Sequence, residues 1–180
     1  MRVISGKARG RKLREPQGAA IRPTSDMVKE SVFNVIQFDI EGRRVLDLFA
    51  GTGQLGIEAL SRGARAATFV DSSPEAVKLI WENLKTCGFN DLASVYNRDA
   101  HRFLRGGETY DIIFLDPPYN TPLAANTLQK IIEFDKLNPN GIIICETKAD
   151  SVMPAVSPPY FFDKDYKYGS MKITRYSRTE

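Results

Sequence analysis

Cysteine and histidine are nearly absent: the chain has two cysteines, Cys87 and Cys145, in no C-x-x-C spacing, and one histidine, His101. A disulfide framework and a Cys/His metal site are thereby set aside, and two buried thiols in a reducing compartment are expected, with no metal. Long apolar runs are missing too. None approaches the ~20 residues of a membrane-spanning helix, and no apolar core follows the basic first residues as it would in a signal peptide. Repeats and low-complexity stretches are also lacking. The expectation is a cytoplasmic protein of 180 residues, with 42% hydrophobic content, enough for one domain with a full core. Nothing in the sequence demands more than a monomer.

What is present starts with an uneven charge. The net charge is +3, but residues 1–22 carry Arg2, Lys7, Arg9, Arg11, Lys12, Arg14 and Arg22 against the single acid Glu15, a surplus of +6 that leaves −3 for residues 23–180. A cationic head on a mildly acidic body suits a polyanion, because each neutralised phosphate releases condensed counterions. The plainer alternative is a solvated terminus. Residues 1–24 are expected to form a basic extension ahead of a main domain over residues 25–180.

From residue 43 onward, short apolar runs alternate with longer amphipathic ones, the pattern of a parallel sheet covered by helices. Strands are expected at Arg44–Phe49, Ala66–Asp71, Ser94–Arg98, Asp111–Leu115 and Gly141–Glu146. Helices are expected between them at Gln54–Arg62, Pro74–Cys87, Ala100–Arg105 and Leu123–Phe134. In the second of these, Val77, Ile80, Trp81 and Leu84 fall on one face, which assigns Trp81 to the core. An earlier helix over Ser25–Ile36 would bury Val28, Val32, Phe33 and Ile36, and the Gly- and Arg-rich segment 1–20 is expected to be β-like or partly mobile. Two β-like runs, Tyr160–Tyr166 and Ser170–Ser177, joined through Tyr168-Gly169, would close the sheet as a hairpin. The fold class is α/β and Rossmann-like: a mostly parallel seven-stranded sheet, helices on both faces, and a C-terminal antiparallel hairpin.

Placed on that map, Asp47, Asp71, Asp99 and Asp116 each fall at or near the C-terminal end of a different strand, the edge that forms the ligand crevice of an open α/β sheet. Four carboxylates there would repel one another unless a ligand supplies donors or positive charge. Between Asp47 and the first sheet helix lies Gly51-Thr52-Gly53-Gln54-Leu55-Gly56, a G-x-G-x-x-G loop that lets a ligand approach the backbone. Asp71 follows at the spacing of a carboxylate that binds two ribose hydroxyls. An NAD-dependent oxidoreductase shares both features and stays open. Three details favour S-adenosylmethionine (SAM): a carboxylate, Asp47, beside the loop, where a cationic amino-acid end fits and a pyrophosphate does not; Asp99, able to accept from an adenine amino group, though it could simply cap the next helix; and little chain left after the sheet for a substrate domain. The candidate cofactor contacts are Asp47, Phe49, Gly51, Gly53, Asp71, Ser72, Asp99, Ala100 and Asp116.

The most informative motif is Asp116-Pro117-Pro118-Tyr119, directly after the apolar strand DIIFL. Two prolines cannot continue a strand, so they force a stiff loop at the sheet's edge. Methyl transfer to an aromatic amine needs no strong base, since the sulfonium already has a good leaving group. It needs a nitrogen lone pair turned out of conjugation and aimed at the methyl carbon. Asp116 and the Pro117 carbonyl can accept the two N–H bonds of such an amine, and Tyr119 can stack on a base that is unpaired or flipped out. These four residues are the candidate catalytic group.

With the glycine loop and this tetrapeptide, the chain resembles the class I SAM-dependent methyltransferases, and more narrowly the RsmD family of bacterial small-subunit ribosomal RNA methyltransferases. Arg2-Val3-Ile4-Ser5-Gly6, Gly10–Leu13, Arg22-Pro23-Thr24, Asp47–Gly53, Glu58–Ala64, Asp116–Tyr119 and Tyr168-Gly169 match that family's blocks along nearly the whole chain. The resemblance implies methylation of the 2-amino group of a guanine in 16S ribosomal RNA, within an assembled or nearly assembled small subunit. It would make the basic head an RNA contact through Arg2, Lys7, Arg9, Arg11, Lys12 and Arg22. N6-adenine methylation of DNA or RNA is the nearest rival, since it uses similar tetrapeptides.

Overall fold

A computed structural model describes residues 1–17 and 26–180. Helix α1 (Asp26–Val35) precedes five strands that alternate with helices: β1 (Arg44–Leu48), α2 (Gln54–Ser61), β2 (Ala66–Asp71), α3 (Pro74–Cys87), β3 (Ala93–Asn97), α4 (Ala100–Phe103), β4 (Tyr110–Leu115), α5 (Leu123–Glu133) and β5 (Leu137–Lys148). The hairpin β6 (Tyr160–Tyr168) and β7 (Met171–Arg178) closes the sheet. Strand order is β3-β2-β1-β4-β5-β7-β6, parallel through β5 and antiparallel in the two pairings that involve β7. This is the expected Rossmann-like sheet. Its order reverses between β1 and β4, the switch point where such sheets bind ligands.

Period-2 alternation divides the core into two layers. Val45, Ile112, Phe114, Ile142 and Ile144 pack with α1, α2 and α3, whereas Leu46, Ile113, Leu115, Ile143 and Cys145 pack with α4 and α5. Burial on both faces explains why DIIFL is apolar throughout. The third glycine of the loop serves this packing: a Cβ on Gly56 would stand 2.3 Å from the Phe69 ring, so α2 can lie against β2 only without one.

Most expected boundaries hold to within a residue or two. Strand β5 is the larger difference. It begins at Leu137, opposite Tyr110, and runs to Lys148 because β7 pairs along it as far as Met171. Trp81 is a correction: α3 buries Ala76, Ile80, Asn83 and Leu84, and Trp81 is 39% exposed on its flank. Asn83 takes the inward position because its side-chain amide donates to the carbonyls of Thr52 and Arg14 and its oxygen accepts from the Arg14 N–H. Of the two thiols expected in the core, Cys145 is buried and Cys87 is only partly so; both are free.

The first residues are not loose. Arg2 and Lys12 form an antiparallel bridge, in line with a β-like segment, and Val3, Ala8 and Leu13 are buried in the same core layer as α1 and α2. That layer spans the division between residues 1–24 and 25–180, so the head is packed into the body rather than hung from it. Glu58 accepts from the N–H groups of Ile4 and Ser5, and the Ser61 hydroxyl donates to the Ser5 carbonyl while accepting from the Ala8 N–H. Among the described residues, no helix is long and apolar enough to cross a membrane.

Candidate active site

The parallel register sets out the site strand by strand. Val70, Leu48, Leu115 and Cys145 form one rung across β2, β1, β4 and β5. The next residue on each strand stands at the crevice rim: Asp71, Phe49, Asp116 and Glu146. Neighbouring strands lie ~4.8 Å apart, so Asp116 is flanked at about that distance by Glu146 on one side. Asp99 lies two residues past Asn97, the β3 partner of Asp71. Tyr168-Gly169 joins β6 to β7 at this same end of the sheet, because Tyr168 pairs with Met171 and Met171 with Lys148 at the end of β5.

Asp71 braces the glycine loop. Its Oδ2 accepts from Gly51 N–H at 2.8 Å and its Oδ1 from Ser73 N–H at 2.9 Å. Each oxygen retains acceptor capacity for a hydroxyl. Gly51 and Gly53 have φ of 57° and 79°, the left-handed region that glycine tolerates. Where a Cβ of Gly51 would stand, the nearest heavy atom is the Phe49 carbonyl oxygen at 4.0 Å, so the loop offers open space to a ligand. Further along the rim, Ser72, Asn97, Arg98, Asp99 and Arg102 line an open depression. An open glycine loop, a carboxylate and a depression along one edge could hold a nucleoside. Asp99 also caps α4, its Oδ1 accepting from Arg102 N–H at 3.0 Å, while Ala100 is buried behind it.

Asp47 does not stand on the rim. It pairs with Phe69 and Phe114, one rung below, and period-2 alternation turns it with Val45 toward α2. There it is 1% exposed and accepts from Gly56 N–H at 3.0 Å, which ties β1 to the first turn of α2. Burial pushes its carboxyl up to about 8; the bond from Gly56 opposes this, and the nearby charge of Asp71 adds to it. The native state therefore holds this proton up to about pH 8, whereas an unfolded chain releases it near the ordinary 3.8. Between those values the native state binds more protons, so stability falls as pH rises and levels off above about 8. Asp47→Asn keeps an acceptor for Gly56 and has no proton to lose. The wild-type melting temperature is expected to drop relative to that of Asp47→Asn between about pH 4 and 8; a difference independent of pH in melting curves would refute a neutral Asp47.

The tetrapeptide leaves the sheet as expected. Pro117 is buried, Pro118 exposed, and Tyr119 half-buried, with its hydroxyl donating to Glu146 Oε1. The Thr121 hydroxyl donates to the Pro118 carbonyl at 2.9 Å and closes the loop ahead of α5. Glu146 is the rim residue that the sequence reading missed. The signal was available: β5, like β4, is an apolar run ending in an acid, and a rule that selects Asp116 also selects Glu146.

The basic head divides. Arg2 pairs with Asp26 at 3.3 Å. Lys7, Arg9, Arg11 and Lys12 are exposed and have no ion pair among the described residues. The Lys7 N–H donates to the carbonyl of Ser61, the last residue of α2, so the turn that carries Lys7 and Arg9 lies at the end of the sheet opposite the rim. Eight residues of α2 separate the two ends, about 12 Å of helix. Arg22 lies outside the described residues. Among those residues, no group of three or more His, Cys, Asp and Glu side chains could hold a metal ion.

Comparison with known proteins adds to this geometry. A family model described as conserved hypothetical protein 95 matches residues 1–177. YlbH of Bacillus subtilis is 40% identical over 182 residues, covering 99% of both chains. Ribosomal RNA small subunit methyltransferase D of Escherichia coli is 33% identical over 179 residues, covering 99% of this chain and 90% of that protein. The solved structure of yhhF from Escherichia coli superposes with a TM-score of 0.89 at 33% identity, covering 99% of this chain and 98% of that one.

Proposed function

The chain belongs to the RsmD family, whose model bears the description conserved hypothetical protein 95, and from that membership we propose that it methylates small-subunit ribosomal RNA with SAM, at the 2-amino group of a guanine. The observation that carries the reading is Asp116 on the crevice rim, followed by two prolines and a tyrosine, on the same edge as the open glycine loop and Asp71. The methyltransferase name of the Escherichia coli relative supports the reaction and the RNA class.

SAM, when bound, supplies a methyl group on a positively charged sulfur. The chain's residues do the rest. Gly51 would leave room for the cofactor, with Gly53 turning the loop and Phe49 beside it on the rim; Asp71 and Ser72 would hold its ribose, and Asp99 and Ala100 its adenine. Asp47 acts from behind the loop by fixing α2. The Asp116 carboxylate and the Pro117 carbonyl accept the two N–H bonds of the guanine amine and turn its lone pair toward the methyl carbon. Asp116 would stabilise the positive charge that the amine nitrogen gains with the methyl group, and the proton that the nitrogen then loses would pass to solvent. Tyr119 stacks on the base.

Purified small subunits from cells lacking the protein, incubated with the protein and methyl-labelled SAM, should yield label in 2-methylguanosine on digestion and mass spectrometry. Label in 6-methyladenosine would sink the guanine assignment, and no transfer to any RNA would sink the activity. The exposed cations of the head serve as an RNA contact that, at Lys7 and Arg9, lies remote from the rim, which suits a substrate as large as a ribosomal subunit. Neutralising Arg9, Arg11 and Lys12 together should reduce the slope of log affinity against log salt by up to about 3. An unchanged slope would return the head to a purely structural part.

A further inference from the structure

Building on the methyl-transfer reading, we propose that Glu146 is a positioning residue for the reaction, fixing the Tyr119 ring against the place where the target base is presented. Glu146 follows Cys145, the β5 partner of Leu115, and so stands beside Asp116 on the rim. On its other side it pairs with Ile173 of β7, which makes β5 an interior strand at this point. Its side chain is buried, at 6% exposure. A carboxylate in such a place is costly unless its oxygens are bonded, so its presence calls for a use.

The use is visible in its partner. Tyr119 sits on an excursion whose neighbours Pro118, Asn120 and Thr121 are exposed, and Asn120 turns with φ of 62°. A tyrosine in such a loop is free to swing about χ1 unless its far end is held. Its hydroxyl donates to Glu146 Oε1, so the ring is tied at Cβ by the stiff Pro-Pro segment and at oxygen by the central sheet. A ring held at both ends presents a fixed face. The base that stacks on it is then oriented before Asp116 takes up its amine, the kind of pre-alignment that lowers a transfer barrier. Glu146 needs no contact with the base to do this; it acts through Tyr119.

A double-mutant cycle tests the link. Glu146→Ala and Tyr119→Phe each remove the bond and should each lower kcat about tenfold, by the loss of one hydrogen bond to a charged group. The double variant should be no slower than either single one, and SAM affinity should be unchanged in all three. Glu146→Gln offers an amide oxygen to the same hydroxyl and should recover most of the rate, which a general loss of folding would not allow. Losses that multiply to about 100-fold in the double variant, or a glutamine variant as slow as the alanine one, would overturn the proposal. Crystal structures supply an arm that does not depend on activity: Tyr119 should be displaced in Glu146→Ala and in place in Glu146→Gln. If the wild-type protein methylates no RNA, the proposed function fails, and an unmoved Tyr119 in Glu146→Ala decides against this inference separately. If the alanine variant does not fold, Tyr119→Phe and Glu146→Gln test the same bond from both ends.

Discussion

Replacing Asp116 with alanine is expected to slow methyl transfer by about 10²- to 10³-fold, the usual cost of removing one pre-aligned polar group at a centre of developing charge, while SAM still binds. The carboxylate stands one residue past Leu115, on the rung that also carries Leu48 and Cys145, at the switch point of the sheet. Its place is set by strand pairing on both sides, and Pro117 and Pro118 stiffen the loop beyond it. Alanine would leave the Pro117 carbonyl as the sole acceptor for the amine, so the nitrogen lone pair would stay conjugated with the base. Asp116→Asn should fall between, because its amide oxygen still accepts one N–H but carries no charge to meet the cation that forms. Single-turnover rates with labelled SAM, alongside direct measurement of SAM affinity, separate the two effects. Full activity in Asp116→Ala would remove the amine clamp from the mechanism.

Much of this site was legible in the sequence because it depends on strand ends, and strand ends are local. An apolar run that stops at an acid places that acid on the crevice rim, and Asp71 and Asp116 are found there. The same rule, applied evenly, would have included Glu146 and would have moved Asp47 away: as a strand residue it alternates with Leu46 and Leu48, and its face is the one covered by α2. The exposure of Trp81 was not legible, because helical periodicity defines a stripe without saying which flank of it meets the sheet. Here the inward position went to Asn83, whose bonds to Arg14 and Thr52 join segments 69 and 31 residues away. The head was illegible for the same reason. Its charges suggest a partner outside the molecule, whereas its folding depends on Glu58 and Ser61, more than 50 residues away in sequence.

Glu58→Ala should accordingly destabilise the protein by about 3–5 kcal/mol, the range for leaving one member of a buried ionic cluster alone. Glu58 is fully buried on α2, and its two oxygens serve four partners: the N–H groups of Ile4 and Ser5, Arg62 Nε at 2.9 Å, and Lys29 Nζ at 3.8 Å. Lys29 is itself buried, donates to the Arg2 carbonyl, and has its pKa lowered by burial, an effect that Glu58 opposes. Alanine would leave a buried ammonium without its nearest anion and two backbone donors unbonded. Water cannot easily replace the lost oxygens, since Glu58 and Lys29 are both fully buried. The head would lose its bonds to Glu58, while those to Ser61 and the Asn83 clasp at Arg14 would persist. Urea denaturation should show the loss of stability, and limited proteolysis should cut within residues 2–12 faster than in the wild type. The consequence reaches the site, because the Thr52 hydroxyl of the glycine loop donates to the Met1 sulfur and its carbonyl accepts from Asn83. A loosened head would therefore weaken SAM binding without touching any cofactor contact. A loss below about 1 kcal/mol, with the first residues still protected, would show that the head is held without Glu58.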